Sequence, residues 1–370
     1  MPQRWSATTI DAMFVAWRDL KFAKGRFALM GTVIVLITLL VGLLSGLTAG
    51  LGWQNVSAIA GLAADKIAFA APSGGQSLSY ANSAVTRAQW QRWSATPGIT
   101  SAEPLGITTT KADAGDRSTG VSAFGVLPGS SLAPGSGRLT EHSVVLSETA
   151  AADLGTRPGG SITLAGRRLT VAAVSGDAWY SHTPVIWTTL ATWRAIAPPT
   201  GGDATVIALT TTSGADLDTT DHAAGTTTVS RDDSLAAIGS YTSENGSLQL
   251  MRGFLFAISA LVIGAFFTVW TIQRSADIAV LKALGATTSG LLKDALGQAV
   301  VLLAGGTLAG TGLAAALGAA LAGTAIPFVL TPATVLVPAA AMVLLGALGA
   351  ALAIRRITSV DPLTALGSAR

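Results

Sequence analysis

The chain contains no cysteine, which removes disulfides, thiolate metal sites and thiol nucleophiles from consideration and leaves the redox compartment unmarked. Histidine is almost as scarce. His142, His182 and His222 are the full complement of the 370 residues, and they lie too far apart to follow any metal-ligand spacing. There is no G-x-x-x-x-G-K-[ST] phosphate loop and no G-x-S-x-G nucleophile elbow. These absences argue against an enzyme: no catalytic residue and no resident metal is expected. Charge is also short, at 12% of residues against about 25% in soluble domains.

The shortage of charge is concentrated in long runs. Phe27–Leu51 is uncharged for 25 residues, Gly253–Gln273 for 21 and Ala295–Ile354 for 60. A helix needs about 20 apolar residues to cross the bilayer core, whereas shorter runs suit a buried core helix. The first two runs each fit one span. The third fits two, with a turn near Gly323–Pro332, where Pro327 and Pro332 disfavour continuous helix. The first run begins too late and extends too far for a cleaved signal peptide and reads as a retained anchor. The apolar cores of the spans, near 27–50, 253–273, 296–320 and 334–354, contain no Asp, Glu, Lys, Arg or His, which argues against an ion-driven mechanism and for an external energy source.

Basic residues orient the spans. Arg4, Arg18, Lys21, Lys24 and Arg26 precede the first, Arg274, Lys282 and Lys293 lie between the second and third, and Arg355, Arg356 and Arg370 follow the fourth. These eleven face five acidic residues, whereas residues 52–251 carry eleven basic and fifteen acidic ones. Both termini are therefore expected in the cytoplasm, with 52–251 outside. The net charge of +3 reflects this topology, and nucleic acid is not an expected partner.

The expected fold class is an α-helical membrane protein with four transmembrane helices and a mixed α+β extracytoplasmic domain. Residues 1–26 are expected to form either an amphipathic cytoplasmic approach, with Phe14, Trp17, Leu20 and Phe22 at the membrane interface and Arg18, Lys21 and Lys24 toward phosphates, or an ordinary extension of the helix. The spans follow at 27–51, 252–274, 295–321 and 334–354. The external domain is 52–251, the cytoplasmic loop 275–294, the short outer loop 322–333 and the tail 355–370. Within the external domain, a helix is expected over Asn55–Ala70 as a continuation of the first span. Strands are expected at Val144–Leu146, Val185–Trp187 and Thr205–Leu209. Ser147 starts a short helix to Leu154, and Ser161–Leu164 pairs with Leu169–Val174 around Ala165–Gly166. The Gly-, Ser- and Thr-rich stretches at 127–137 and 211–227 read as separators.

Three sets of residues are candidates for function. In the cytoplasmic loop, Ile278, Leu281, Leu284 and Gly285 form an apolar ridge with a glycine stop, suited to docking on a cytoplasmic partner. Gly42, Gly46 and Gly50 recur every fourth residue and make a flat ridge for close helix approach, either at a seam between two copies or inside one subunit. At the outer end of the second span, Glu244, Leu248, Met251 and Leu255 recur at helical spacing, with Tyr241 one turn earlier and helix expected from near Gly246. A carboxylate above an apolar stripe suits an amphiphile. Together with Ser243, Asn245 and Ser247, it equally suits a capped helix entry.

The stretch Arg274-Ser-Ala-Asp-Ile-Ala-Val-Leu-Lys-Ala-Leu-Gly-Ala resembles the signature of MacB/FtsX-type permeases of ABC transporters, as does the tail Arg355-Arg-Ile-Thr-Ser-Val-Asp-Pro-Leu-Thr-Ala-Leu. The external run Val144-Val-Leu-Ser-Glu-Thr-Ala-Ala-Ala-Asp-Leu-Gly, with Gly160-Ser-Ile-Thr-Leu and Leu169-Thr-Val-Ala-Ala-Val, is similar to that family's external domain. Ala16-Trp-Arg-Asp-Leu-Lys-Phe-Ala-Lys-Gly-Arg-Phe-Ala-Leu-Met-Gly and Ser240-Tyr-Thr-Ser-Glu-Asn-Gly-Ser-Leu look like the haem-exporting members. The resemblance implies a permease homodimer in the cytoplasmic membrane of a bacterium, working with two copies of an ABC ATPase that carry the ATP-Mg. The cargo would be haem or another amphiphile taken from membrane lipid, and haem would be a substrate, not a bound cofactor. Glu244 is then the first candidate for an iron ligand, with Tyr241 and Met251 behind it. The alternatives are export of a lipid, lipoprotein or hydrophobic drug, or an FtsX-like transducer that moves nothing and regulates an external cell-wall enzyme.

Overall fold

Long apolar sequence without internal proline propagates as helix, and Lys24–Ala60 forms one continuous helix, α1. The computed structural model describes residues 24–199, 201–273, 287–321 and 326–358, together with Val280 and Thr324. Four helices among the described residues contain stretches long and apolar enough to cross a membrane: Ala28–Ala60, Tyr241–Trp270, Leu296–Leu321 and Pro332–Leu352. The last three belong to α6 (Tyr241–Gln273), α7 (Thr288–Leu321) and α8 (Pro332–Thr358). The chain divides into two units, one of Leu51–Gly246 and one of the remainder.

In the membrane unit, the usual distribution of polarity is inverted. Leu261, Leu308, Leu344 and Leu352 are each more than half exposed, while Thr38, Ser45, Ser259, Gln298 and Thr307 are buried. In water such a surface would drive aggregation; in lipid it carries no penalty. Met30, Ile34, Ile263, Phe267, Leu303 and Met342 form the core, and the rings of Phe267 and Trp270 meet edge to face at 6.1 Å. The hydroxyls of buried Ser259 and half-buried Thr268 donate back to the carbonyls of Leu255 and Gly264, one turn earlier, which satisfies them without leaving the helix.

The external unit is built on β1 (Lys66–Ala70), β2 (Ile99–Ala114), β3 (Arg117–Val126), β4 (Ser143–Leu146), β5 (Ser161–Leu164), β6 (Arg167–Val174), β7 (Trp179–Tyr180), β8 (Thr183–Thr189), β9 (Val206–Thr211) and β10 (Thr226–Ser230). The helices are α2 (Arg87–Ser94), α3 (Glu148–Leu154), α4 (Leu190–Ile196) and α5 (Leu217–Ala224). The strand order is β10-β1-β9-β2-β3-β8-β4-β6-β5, with β7 paired to β8. The long strand β2 pairs with β9 through its first half and with β3 through its second, and Ala112 and Asp113 also pair with Leu164 and Thr163 of β5. The pairings from β2 through β3, β8, β4, β6 and β5 thus close on themselves around Val121, Val144, Leu146, Ile162, Leu164 and Ile186.

Several expected elements are present. Ser147 caps α3 by accepting from the Ala150 amide, Gly155 ends α3 in the left-handed conformation, and β5 and β6 pair antiparallel around Ala165–Gly166. Others need correction. The helix expected over Asn55–Ala70 stops at Ala60, and Lys66–Ala70 is a strand between β9 and β10. Ile67, Ala68 and Phe69 are all buried, so the strand shows no alternation by which it could be told from helix. The separator at 211–227 contains α5, capped by Asp216 at one end and Gly225 at the other. The helix expected from near Gly246 begins at Tyr241.

Candidate functional site

The earlier start of α6 places Glu244 inside the helix, in its first turn. Glu244, Leu248, Met251 and Leu255 then stand at positions i, i+4, i+7 and i+11 of one continuous helix and share a stripe. Leu248 is half-buried, Met251 is 46% exposed, and Leu255 packs against the membrane core. Leu250, Phe254, Ile258 and Leu261 extend the exposed apolar surface beside it. Tyr241 packs against the external unit's core cluster around Ala58 and Ile59.

The carboxylate of Glu244 makes tertiary bonds. Its Oε2 accepts from Asn55 Nδ2 at 2.8 Å and lies 2.7 Å from Nε2 of His182. A carboxylate oxygen offers only lone pairs, so Nε2 carries the proton in this bond. Asn55 Nδ2 also reaches Ser240 Oγ at 3.4 Å. The helix entry has its own partners: Ser243 Oγ donates to the Ser240 carbonyl at 3.0 Å, and the Glu244 amide donates to the same carbonyl at 3.0 Å. Charge-assisted bonds of this kind contribute about 1.5–3 kcal/mol when dry. Here His182 and Glu244 are 34% and 41% exposed, so solvent screening brings their bond toward the lower end or below it.

Asn55 and His182 were not singled out in the sequence as partners of Glu244. They lie 189 and 62 positions from it, and no linear spacing encodes such a meeting. Among the described residues, no cluster of three or more His, Cys, Asp or Glu is placed to hold a metal ion.

The glycine ridge faces its own chain. A Cβ on Gly42 would lie 2.8 Å from that of Ala314, one on Gly46 would enter the ring of Phe328, and one on Gly50 would meet the Pro327 carbonyl. The Val329 amide donates to the Gly46 carbonyl at 3.1 Å. The three positions are thus occupied by contacts with α7 and the loop before α8, which is the packing inside one subunit left open beside the seam. The coupling candidates Ile278, Leu281, Leu284 and Gly285 lie outside the described residues.

Residues 27–227 match the family model for the MacB-like periplasmic core domain, and residues 250–362 match that for the FtsX-like permease C-terminal region. The chain is 24% identical over 362 residues to the "Putative hemin transport system permease protein HrtB" of Staphylococcus epidermidis, covering 96% of this chain and 99% of that one. It is 25% identical over 358 residues to the protein of the same name from Staphylococcus haemolyticus, with the same coverage of each chain. An uncharacterized ABC transporter permease of Mycobacterium tuberculosis is 25% identical over 370 residues, again with 96% of this chain and 99% of the relative covered. Such permeases are not enzymes and draw on a partner ATPase. With four apolar helices and both family models matched in order along the sequence, the chain belongs to the MacB/FtsX-type permeases of ABC transporters.

Proposed function

We propose that this chain is the permease subunit of an exporter that removes haem from the outer half of the cytoplasmic membrane, using ATP hydrolysed on two copies of a partner ATPase beneath a permease homodimer. The observation that carries the reading is the stripe on α6: an anionic oxygen donor in the first turn, followed at helical spacing by Leu248, Met251 and Leu255, of which Met251 is exposed and the other two are partly buried. Haem has matching chemistry, since its macrocycle is flat and apolar and its iron takes oxygen, nitrogen or sulfur ligands. Glu244 is the first ligand in this reading, with Met251 second. Tyr241 is the weaker candidate because its ring is engaged with the external core. The names of the staphylococcal relatives, which match along nearly their whole length, favour the same cargo. Ile278, Leu281, Leu284 and Gly285 are assigned the ATPase contact.

The test is a haem titration of the purified permease–ATPase complex. The wild-type complex is expected to develop a Soret band, and Glu244→Ala to weaken haem binding and move that band. A Glu244→Ala complex whose spectrum matches wild type would dispose of Glu244 as the ligand, and a wild-type complex without a haem spectrum would overturn the haem reading. The surviving readings would then be a different amphiphile, or a transducer acting on an external enzyme through residues 52–251.

A further inference from the structure

The turn between β7 and β8 is built from residues ill suited to it. Ser181 and His182 occupy its two central positions with φ of 48° and 62°. A two-residue hairpin loop of this type I′ kind needs the left-handed region at both positions and is normally made by Asn-Gly or Gly-Gly. For a residue with a Cβ, that region costs roughly 1–2 kcal/mol. The turn is held against this cost by the end of α1. Ser181 N donates to the Asn55 carbonyl at 2.9 Å, His182 N donates to the Gln54 carbonyl at 3.0 Å, and Trp179 N donates to Ser57 Oγ at 2.9 Å. The consequence of the arrangement is the imidazole Nε2 2.7 Å from Glu244 Oε2, the same oxygen that Asn55 Nδ2 reaches at 2.8 Å.

We propose that His182 is a positioning residue for Glu244. With Asn55 it fixes Oε2, and with the Ser240 hydroxyl, which also bonds the carboxylate, it orients the group offered to the cargo iron. A free glutamate must give up about 1–2 kcal/mol of side-chain entropy to bind, whereas a carboxylate already held meets its ligand with less to lose. Removing an outer partner of a metal-ligating group typically weakens metal affinity about 10–100-fold. The functional consequence rests on the haem reading; the grip of His182 on the carboxylate does not.

The experiment compares wild type, His182→Leu, His182→Gln and Glu244→Gln in the full-length permease–ATPase complex, with two readouts. The first needs no haem. The carboxylate stretch of Glu244, isolated by infrared difference against Glu244→Gln, is expected to shift in His182→Leu and to stay near its wild-type position in His182→Gln, whose amide keeps a donor within reach of Oε2. An unshifted band in His182→Leu overturns the positioning role, whatever the cargo. The second is haem titration. His182→Leu is expected to bind haem about 10-fold more weakly or worse, with His182→Gln close to wild type. Loss of an imidazole-type spectrum in both His182 variants would make His182 the ligand itself and overturn the proposal. A wild-type complex that binds no haem removes the cargo reading, and with it the role toward iron, while the infrared result still decides the grip.

Discussion

Glu244, Asn55 and His182 meet through one carboxylate oxygen, and the meeting depends on how the β7–β8 turn is anchored. Tyr180, just before the turn, is buried against Phe124 and Tyr80, with ring centroids 5.5 and 6.0 Å away. Burial pushes its phenol well above the ordinary tyrosine range, so Tyr180 stays neutral and serves the turn as an apolar anchor. With Tyr180 fixed and the two turn amides bound to the carbonyls of Gln54 and Asn55, the strain of the left-handed pair is confined to Ser181 and His182. Ser181 carries its share, and among the described residues the hydrogen bonds of Glu244 come from others, so Ser181 separates strain from function. Ser181→Gly is expected to stabilise the protein by about 1 kcal/mol and Ser181→Val to destabilise it by a similar amount, both with haem affinity near wild type. Thermal unfolding of the full-length protein in detergent reads the order, and Ser181→Val melting above Ser181→Gly would refute the account of the turn. Nothing in the sequence marks this site: Ser-His is not a turn signature, and the pairing partners are supplied by tertiary structure alone.

Among the elements, the β2–β3 hairpin and α4 show how close packing is written in glycine. Gly106 and Gly125 face each other in register across β2 and β3, and Trp193 of α4, 3% exposed, lies over both. A Cβ on Gly106 would enter the indole ring, and one on Gly125 would meet Cβ and Cγ of Trp193. The Trp193 Cβ is fixed by the helix backbone, so no rotamer change relieves the clash at Gly125. Gly125→Ala is expected to cost about 1–3 kcal/mol by overpacking, seen as a Tm lower by several degrees. Gly120→Ala, on the same strand with only Thr183 Cγ2 at 3.8 Å, should melt near wild type. Equal melting temperatures for the two variants would show that the slot is not tight. The elements legible in the sequence were those closed by local signals: the Ser147 cap and Gly155 stop of α3, and the Ala165–Gly166 turn between β5 and β6. Where both faces of a strand are buried, as in β1, or where one strand serves several neighbours, as β2 does, the alternation that would reveal it is absent. The start of α6 is not legible for a related reason, since Ser240–Gly246 is rich in turn-forming residues and is held in place by the contacts of Tyr241 and Glu244.

For the molecule as a whole, the apolar surface of the membrane unit and the placement of charge along the sequence bear on the same question, which side each segment faces. Exposed Leu261, Leu308, Leu344 and Leu352 belong in lipid. The segments flanking the spans on one side carry eleven basic residues against five acidic ones, while 52–251 carries eleven against fifteen. These segments are short and adjacent to the spans, where positive charge resists translocation, so the basic excess is expected to hold them in the cytoplasm. The absence of cysteine makes the arrangement directly measurable, since any thiol introduced into the chain is its only one. Asp218→Cys, at an exposed position of α5, is expected to react with a membrane-impermeant maleimide in intact protoplasts. Ser368→Cys, in the tail, should react only after the membrane is opened. Labelling of the tail thiol in intact protoplasts would invert the topology. The Glu244 carboxylate would then face the cytoplasm, and export from the outer half of the membrane through this site would be ruled out.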